Sequence, residues 1–422
     1  NRDFKNSNTR NNPPAELVVA LFIARHFYDN CYGERGYSML CENSSLQQFI
    51  GRLGIGSFPS RNTIHEQVSA LSEKTLNLFH QAILNCVKEC GLDDFSAVII
   101  DSTAIKADSA WPVDSQLLKN LSCKMMKNIS DVHDQLPCVE RRKIPLKRLQ
   151  NYCDYMSKLN FEISMLKGKK GARKMRQKFY TQELLPRCRK FIIRLEKTLP
   201  QIKQHCESAK VLMIDECLSR FIDKVLMVEH RFNMAPKDYD TNTARKIYSM
   251  SDNDAAFIKK GGRETVFGYR PNFAFSANGF LTSFTLESGN TSDSKAFSNC
   301  LDENKKMTGE TAMMISVDDG YSSAANLDDA IEKGATLVSV SGSKGKKLLG
   351  EDLYESENYQ LARNIRSISE AGISKLKNYH NLERFTVCGL KRVRQETLIS
   401  AIGFNLERIC QLLCQIELEV AA

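Results

Sequence analysis

Tryptophan, histidine and closely spaced cysteine pairs are scarce in this sequence. Its 422 residues include 1 tryptophan and 7 histidines, and none of its 14 cysteines forms a Cys-x-x-Cys pair. Structural zinc sites usually take two closely spaced pairs of Cys or His ligands. We therefore expect no zinc site, and we expect the cysteines to be small buried side chains in a reducing compartment.

Long apolar runs are also missing. The sequence has no run of 18 or more apolar residues, so we expect no membrane span, and residues 1–14 lack the apolar core of a signal peptide. Gly-x-Ser-x-Gly, the phosphate-binding P-loop and His-Glu-x-x-His are absent as well. The sequence therefore gives no support for a serine hydrolase, a P-loop nucleotidase or a zinc protease.

Positive charge is abundant and concentrated in one region. The formal net charge is +9, and residues 139–199 contain 18 Lys or Arg against 5 Asp or Glu. Clustered cations suit the neutralisation of nucleic-acid phosphates, although a solvated helix face or a flexible basic loop has the same composition. The cations for which we expect DNA contact are Lys169, Lys170, Arg173, Lys174 and Arg176.

The N-terminal part of the chain has a helical pattern. Apolar residues recur at helical spacing over Ala15–Asn30, and a short helix is expected over Ser45–Leu53. Ser60 is a good N-cap for one long helix that reaches about Cys90. Two helices joined by a glycine-containing turn are typical of a helix-turn-helix DNA-binding motif, but a plain helical bundle gives the same pattern.

Strand signals flank the helical and basic middle of the chain. Ala97–Asp101 and Ala312–Asp318 are short apolar runs that each end in a carboxylate, which is typical of buried strands. Phe267–Ala277 and Phe280–Ser288 lie on either side of Asn278-Gly279, a strong hairpin signal because both turn residues need a positive φ.

The remaining elements complete a recognisable order. We expect helices at 294–306 and 324–332 and from about 359 onward, a strand at 335–340, and a loop at 341–350. With the helical middle left out, the order is strand, strand, strand, helix, strand, helix, strand, helix. This is the element order of an RNase H-like fold, so we predict a mixed α/β class in which helices flank a mixed sheet.

The two aspartates that end predicted strands, Asp101 and Asp318, are candidate metal ligands. A carboxylate at a strand end is held by the sheet and still reaches its edge. Mg²⁺ prefers hard oxygen ligands, and two such ions activate the attacking oxygen and stabilise the leaving one in phosphoryl transfer. One aspartate at this place is a weak signal, since turns favour Asp, but two on neighbouring strands favour a site.

Three short motifs resemble those of insertion-sequence DDE transposases. Asp101-Ser102-Thr103 is similar to the motif at their first catalytic aspartate, and Asp318-Asp319-Gly320-Tyr321 to the Asp-x-Gly-Tyr motif at their second. Arg366-x3-Glu370-x6-Lys377 resembles the signature of their third carboxylate. Two further segments are similar to family sequence, Pro112–Leu118 and Gly389–Leu406, and the resemblance covers about residues 95–410.

The third motif departs from the family pattern at one place. The family has a Tyr three residues before the Arg, and this chain has Arg363 there. The offsets of Arg363, Arg366, Glu370 and Lys377 predict that they share one helix face, with Glu370 turned to the site and the cations turned to DNA. The alternative is an ordinary surface helix with an Arg–Glu pair, worth only about 0.3–0.5 kcal/mol.

Several other side chains compete for roles. Asp319 is adjacent to Asp318, Asp108 follows Asp101, and Glu396 follows two arginines, so each is a second choice as a ligand. We expect Asp293 to be the N-cap of the helix after it, and Trp111, which could stack on a base, to pack in the core instead.

The resemblance implies a DNA transposase that cuts strands at transposon ends and transfers them to target DNA. It implies two Mg²⁺ or Mn²⁺ ions held by Asp101, Asp318 and Glu370, with Arg363, Arg366 and Lys377 contacting DNA. The partners would be double-stranded DNA with terminal inverted repeats, target DNA and a second copy of the chain, in the bacterial cytoplasm at the nucleoid.

The implied organisation has three parts. We expect a helical DNA-binding domain at 1–94, an RNase H-like catalytic domain formed by 95–110 and 262–422, and a helical basic insertion at 111–261. Two alternatives remain open: an RNase H-like, structure-selective nuclease without strand transfer, and a non-catalytic DNA-binding protein derived from a transposase.

Overall fold

The computed structural model describes residues 15–27, 34–55, 57–166, 170–206, 209–241, 245–259 and 264–421. The chain divides into two compact units. The first unit combines the residues up to 108 with those from 254 onward, and the second comprises residues 109–253. In the sequence, the second unit is therefore an insertion in the first.

Helices begin the first unit. They are α1 (Ala15–Phe27), α2 (Glu34–Glu42), α3 (Ser44–Arg52), α4 (Arg61–Ser69) and α5 (Glu73–Glu89). The expected helical pattern is present, but the single long helix from Ser60 is wrong. The chain leaves the helix after Ser69, and Ser72 starts α5 by accepting the Thr75 N–H at 3.2 Å. Residues 28–30, expected to extend α1, lie outside the described residues.

These N-terminal helices bury their apolar side chains against the last helix, α18 (Leu390–Ala421). Leu71 and Leu76 share a core with Leu398 and Ile402, and all four side chains are at least 98% buried. Burying one such side chain contributes about 1.5–3 kcal/mol. The hydrophobic effect therefore joins the two ends of the first unit.

The central sheet has five strands in the order β6-β5-β1-β7-β8. β1 is parallel to β7, which is parallel to β8, whereas β5 is antiparallel to both β1 and β6. This arrangement confirms the mixed α/β class with an RNase H-like core. The strands are β1 (Ala97–Ser102), β5 (Asn272–Ser276), β6 (Leu281–Thr285), β7 (Met314–Val317) and β8 (Leu337–Val340).

A second, three-stranded sheet was not predicted. It has the order β2-β4-β3, formed by β2 (Ile105–Lys106), β3 (Ala256–Ile258) and β4 (Val266–Tyr269). The single strand expected over Phe267–Ala277 is therefore wrong. Pro271 lies between β4 and β5, and proline donates no backbone N–H to a ladder, so the chain changes sheets there. The expected hairpin is confirmed between β5 and β6, and Gly279 has φ +79°. The positive φ expected at Asn278 is wrong.

Helices flank the central sheet of the first unit. They are α12 (Asp293–Thr308), α13 (Ala324–Glu332), α14 (Ser343–Leu349), α15 (Glu351–Tyr354), α16 (Glu357–Asn364) and α17 (Ser367–Tyr379). The helices expected near 294–306 and at 324–332 are confirmed. The loop expected at 341–350 is wrong, since α14 occupies most of it. Tyr359 of α16 bonds both the N–H and the carbonyl of Val340, which satisfies backbone groups of the edge strand β8.

The second unit is helical. Its helices are α6 (Asp114–His133), α7 (Cys138–Lys143), α8 (Leu146–Ser164), α9 (Ala172–Lys178), α10 (Leu185–His205) and α11 (Ala209–Arg231), with a π-helical segment at Phe179–Leu184. Leu118, Met156, Phe191 and Phe221 lie in its core, fully buried. The unit thus has a hydrophobic core of its own.

Polar contacts supplement that core at the motif Pro112–Leu118. Asp114 forms an ion pair with Lys224, whose side chain is only 1% exposed, at 2.7 Å. Ser115 Oγ donates to Asn160 Oδ1 at 2.8 Å. In the second unit, the motif therefore fixes α6 to α8 and α11.

The cysteines only partly match the expectation of burial. All thirteen described cysteines are free. The buried ones are Cys153, Cys188, Cys217 and Cys300, and the exposed ones are Cys86, Cys90, Cys123, Cys138, Cys410 and Cys414. Over the residues that the structure describes, no helix is both long and apolar enough to span a membrane.

Candidate active site

The central sheet brings Asp101 and Asp318 together. Ile100 of β1 is the register partner of Val317 of β7, and the next residue of each parallel strand is the aspartate. Ile100 and Val317 point into the same buried cluster. Because successive strand residues point to opposite faces, both aspartates point to the other face of the sheet. Asp318 keeps an extended backbone, φ −88° and ψ 174°, so this alternation continues past the end of β7.

Backbone N–H groups orient both carboxylates. Asp101 Oδ1 accepts the Ser102 N–H at 2.7 Å, and Asp318 Oδ1 accepts the Gly320 N–H at 2.7 Å. Asp101 is 8% exposed, whereas Asp318 is half-buried at the sheet edge. Short bonds to charged oxygens are stronger than neutral ones, so both side chains are held in place by the chain itself.

The neighbouring Asp319 has a different role. Its Oδ1 accepts the backbone N–H groups of Lys344 at 3.1 Å and Gly345 at 3.2 Å, both in the first turn of α14. A Cβ at Gly342 would stand 2.5 Å from Asp319 Oδ2, so the carboxylate lies close against the main chain there. Asp319 therefore satisfies the start of a helix, which leaves Asp318 as the aspartate of this pair that faces the site.

The third motif lies on the same face of the sheet. Phe275 is the register partner of Ile99, which shares a face with Asp101, and α17 packs on that face. A Cβ at Gly372 would stand 2.5 Å from the Phe275 ring, so glycine is what lets α17 approach the sheet. Glu370 is in the first turn of this helix, on the same face as both aspartates.

Arg366 links Glu370 to the strand ends. Arg366 Nη2 donates to Glu370 Oε1 at 2.6 Å, and Arg366 Nη1 donates to Ser341 Oγ at 2.9 Å. The Ser341 N–H donates to the carbonyl of Val317 at 2.9 Å, one residue before Asp318. The Glu370 side chain is 61% exposed, so it can change rotamer at little cost.

A cleft of about 420 Å³ adjoins this link, and Ser341, Arg363, Arg366 and Glu370 line it. The expectation that the motif occupies one helix is wrong, since α16 ends at Asn364 and α17 begins at Ser367. Arg363 lies over the Tyr354 ring, 5.1 Å from its centroid. The cleft thus holds two cations and one carboxylate in a shape open to a polyanion.

Lys377, the last residue of the motif, contacts the main chain. Its Nζ donates to the carbonyl of Ala104 at 2.9 Å, just beyond β1. This bond ties the second half of α17 to the segment that follows Asp101. In the structure Lys377 therefore positions the helix.

The carboxylates of Asp101, Asp318 and Glu370 do not form a three-ligand metal site in the structure. Among the residues that the structure describes, no group of three or more His, Cys, Asp or Glu side chains is placed to hold a metal ion. Asp101 and Asp318 fit a divalent ion by their hard oxygen donors and their shared strand edge. Glu370 has the right chemistry and shares their face, but its carboxylate is paired with Arg366.

Sequence reasoning missed a polar cluster on the opposite face of the strand ends. Arg270, which follows β4, forms an ion pair with Asp293. The expectation that Asp293 is an N-cap is wrong, because Ser292 occupies that position and Asp293 is the first residue of α12. In the sequence, Arg270 is an arginine before Pro271 and Asp293 is an acidic residue at the start of a helix. Neither feature indicates that the two side chains pair.

Tyr321 lies within this cluster. Its hydroxyl donates to Asn272 Oδ1 at 2.8 Å, and its ring packs near Phe297. Burial, and then the nearby carboxylates led by Asp293, raise the pKa of Tyr321 well above its usual value. The Tyr of the second motif is therefore a packed, neutral hydrogen-bond donor.

The other competing residues have contacts of their own. Asp108 pairs with Arg384 at 3.3 Å, and Glu396 accepts bonds from the N–H and hydroxyl of Thr386 at 2.9–3.2 Å. The prediction that Trp111 packs in the core is wrong, since it is 56% exposed.

The basic segment of the second unit is largely α9. The described cations expected there, Lys170, Arg173, Lys174 and Arg176, are all exposed, and within the described residues none of them forms an ion pair or a hydrogen bond. Lys169 lies outside the described residues. The segment therefore presents positive charge that no acidic side chain in the described part of the chain neutralises.

Comparison with known families agrees with the geometry. A family model described as the transposase DDE domain matches residues 241–406. That stretch includes Asp318 and Glu370 but begins after Asp101. The position of Asp101 beside Asp318 is given by the register of β1 and β7. Comparison with curated proteins and with solved structures gave no match. Proteins of this family act on DNA and generally use divalent metal ions. The similarity of residues 241–406 to the transposase DDE domain, on an RNase H-like sheet whose strand ends carry the motif aspartates, supports an insertion-sequence DDE transposase.

Proposed function

We propose that the chain cleaves DNA strands at the ends of a transposable element and transfers those ends to target DNA. The observation that carries the proposal is the register of β1 and β7, which sets Asp101 and Asp318 side by side at one sheet edge. The family match supports the reaction class, because DDE domains perform phosphoryl transfer on DNA.

In this proposal, Asp101, Asp318 and Glu370 are the catalytic carboxylates. Two Mg²⁺ or Mn²⁺ ions held there would activate the attacking oxygen and stabilise the leaving oxygen. The chain contributes two side chains whose orientation is already fixed, since a backbone N–H holds each aspartate. Glu370 joins them by turning away from Arg366, which its exposure allows.

Arg366 then becomes a phosphate ligand. It stays anchored to Ser341 through Nη1 while Nη2, freed from Glu370, faces the cleft that Arg363 also lines. Guanidinium groups bind phosphate oxygens through two parallel N–H bonds, which suits the backbone of a DNA strand lying in this cleft. The same movement of Glu370 therefore completes the acidic site and releases a cation for DNA.

The rest of the chain supplies DNA contacts in this proposal. The N-terminal domain at 1–94 binds terminal inverted repeats, the catalytic domain comprises 95–110 and 262–422, and the insertion at 111–261 binds DNA phosphates through the exposed cations of α9. Two copies act on two ends, since joining both ends of an element to one target needs two active sites.

Cleavage and joining assays test the carboxylates. With the element's own terminal sequences as substrate, Asp101→Asn, Asp318→Asn and Glu370→Gln should each lower the rate at least about a thousandfold, or about 4 kcal/mol of transition-state stabilisation. The control is Asp319→Asn, one residue away. An asparagine oxygen can still accept the α14 N–H groups, so this variant should stay within a few fold of the wild type.

A second substrate with pre-cleaved ends separates cutting from joining. Joining of these ends by the wild type, and its loss in the three variants, supports the transposase. Cutting without any joining would instead identify a structure-selective nuclease. Full cleavage by Asp101→Asn would mean that Asp101 is not a catalytic residue. A wild type that binds the terminal DNA but neither cuts nor joins it would instead identify a non-catalytic DNA-binding protein.

A further inference from the structure

An arginine–aspartate pair lies on the face of the central sheet opposite the candidate site. The side chains of Arg270 and Asp293 are 14% and 6% exposed. Arg270 also donates from Nε to Ser102 Oγ at 3.4 Å and from Nη1 to Asn290 Oδ1 at 3.3 Å. A buried pair is expensive to desolvate and is a weak source of stability, so its presence needs another reason.

The pair contacts the segment that carries each aspartate. Ser102, which Arg270 bonds, directly follows Asp101 and gives it the N–H that orients its carboxylate. Asp293 Oδ2 and Asp318 Oδ1 lie 2.6 and 2.8 Å from the point where a Cβ on Gly320 would stand. Gly320 therefore lets the Asp318 turn close down onto Asp293, and one ion pair braces both strand ends.

One oxygen of the pair is left without a partner. Within the described residues, the buried Oδ1 of Asp293 has no hydrogen bond. A buried unsatisfied carboxylate oxygen costs free energy, so its presence in a folded protein calls for an explanation. Asp293 also carries its charge at the start of α12, where the helix dipole favours it.

We propose that Arg270 and Asp293 are positioning residues that set the distance between the Asp101 and Asp318 carboxylates. This inference rests on the proposed function, because it assumes that these carboxylates bind divalent ions. Arg270 holds the end of β1 through Ser102, and Asp293 holds the turn after β7 beneath Gly320. Neither residue is a ligand of the ions in this proposal, since Arg270 and Asp293 are engaged with each other.

Binding of Mn²⁺ to the DNA-free protein, followed by electron paramagnetic resonance of the free ion, tests the pair without relying on activity. Asp293→Asn keeps the shape of the side chain and removes the ion pair. Loss of a residue that orients metal ligands typically weakens metal binding about 10- to 100-fold, and we expect a shift of that size. Arg270→Lys keeps the charge but cannot bond Asp293 and Ser102 together, so a smaller shift is expected.

The control is Lys333→Gln. Lys333 pairs with Asp302 at 2.7 Å on α12, away from the strand ends, so its loss should leave Mn²⁺ affinity unchanged. Wild-type affinity in both Asp293→Asn and Arg270→Lys would overturn the inference, provided that Asp101→Asn no longer binds Mn²⁺. If Asp101→Asn binds Mn²⁺ like the wild type, the proposed function fails first, and the positioning role fails with it.

Discussion

The cations of the candidate site and those of α9 differ in what they contact. Arg270, Arg366 and Lys377 each donate to another group of the first unit. The described cations of α9 are exposed, and among the described residues none of them has a partner. The sequence alone does not separate the two sets, because both consist of Lys and Arg for which a DNA contact is plausible.

This difference separates two uses of positive charge. A cation that already has a protein partner fixes the geometry of its neighbours, and a DNA phosphate must compete with that partner. An exposed, unpaired cation gives up only its own hydration and its counterions when it meets a phosphate. We therefore assign most of the DNA affinity to α9 and most of the positioning to the arginines and lysine of the site.

Neutralising four cations of the basic segment, namely Lys170 and three in α9, should give the largest effect of this comparison. We expect the fourfold variant to bind duplex DNA on the order of a hundredfold more weakly, and the slope of log affinity against log salt to fall by about 3 to 4. Fluorescence anisotropy of a labelled duplex at several salt concentrations measures both quantities. The substitutions are Lys170→Gln, Arg173→Gln, Lys174→Gln and Arg176→Gln.

A matched control removes the same charge from paired cations. Both fourfold variants lower the formal net charge from +9 to +5, so a general charge effect would be equal in the two. If the control variant lowers the salt slope as much as the variant of the basic segment does, then an internal ion pair does not decide whether a cation contributes to DNA binding. The control substitutions, each in an ion pair, are Lys88→Gln, Lys106→Gln, Lys143→Gln and Lys306→Gln.

The sheet and its two aspartates were predictable from the sequence for a physical reason. Buried parallel strands require short apolar runs, and a run that ends in Asp places the carboxylate at the sheet edge. Ala97–Asp101 and Ala312–Asp318 met both conditions. Their adjacency followed only from the whole element order, since nothing local to either run specifies its partner strand.

The features that the sequence did not reveal depend on distant contacts. The pairing of Arg270 with Asp293 links residues from different elements, and neither side chain signals its partner. The break between α16 and α17 is invisible to periodicity, because Arg363 and Glu370 still fall seven residues apart. The second sheet has strands of only two to four residues, too short for an alternating pattern to identify.

His80 extends the comparison to a basic side chain that carries no charge. It is fully buried on α5, and burial lowers its pKa to about 4, although its Nε2–H donates to the Leu281 carbonyl at 2.9 Å. Between pH 6.5 and 4 the unfolded chain binds a proton that the folded chain excludes, so stability falls as the pH falls through this window.

The expected loss from His80 between pH 7 and pH 4.5 is about 2 to 3 kcal/mol of unfolding free energy. Urea denaturation of the wild type and of His80→Gln at the two pH values measures it, and the variant should lose less by about that amount. Exposed His65→Gln is the control and should follow the wild type. Equal pH dependence in His80→Gln would mean that folding does not lower the pKa of His80.

The smallest effect is expected at Lys377, which gives the strictest test of the difference between partnered and unpartnered cations. The sequence motif suggests a DNA contact, whereas the structure shows a bond to the Ala104 carbonyl. If that bond positions α17, Lys377→Met should lower the free energy of unfolding by about 1 to 2 kcal/mol and leave the salt slope of DNA binding unchanged. A slope that falls by about one, with stability intact, would instead make Lys377 a phosphate ligand. An internal partner would then not distinguish a positioning cation from a DNA-binding one, because DNA would displace the bond between Lys377 and the Ala104 carbonyl.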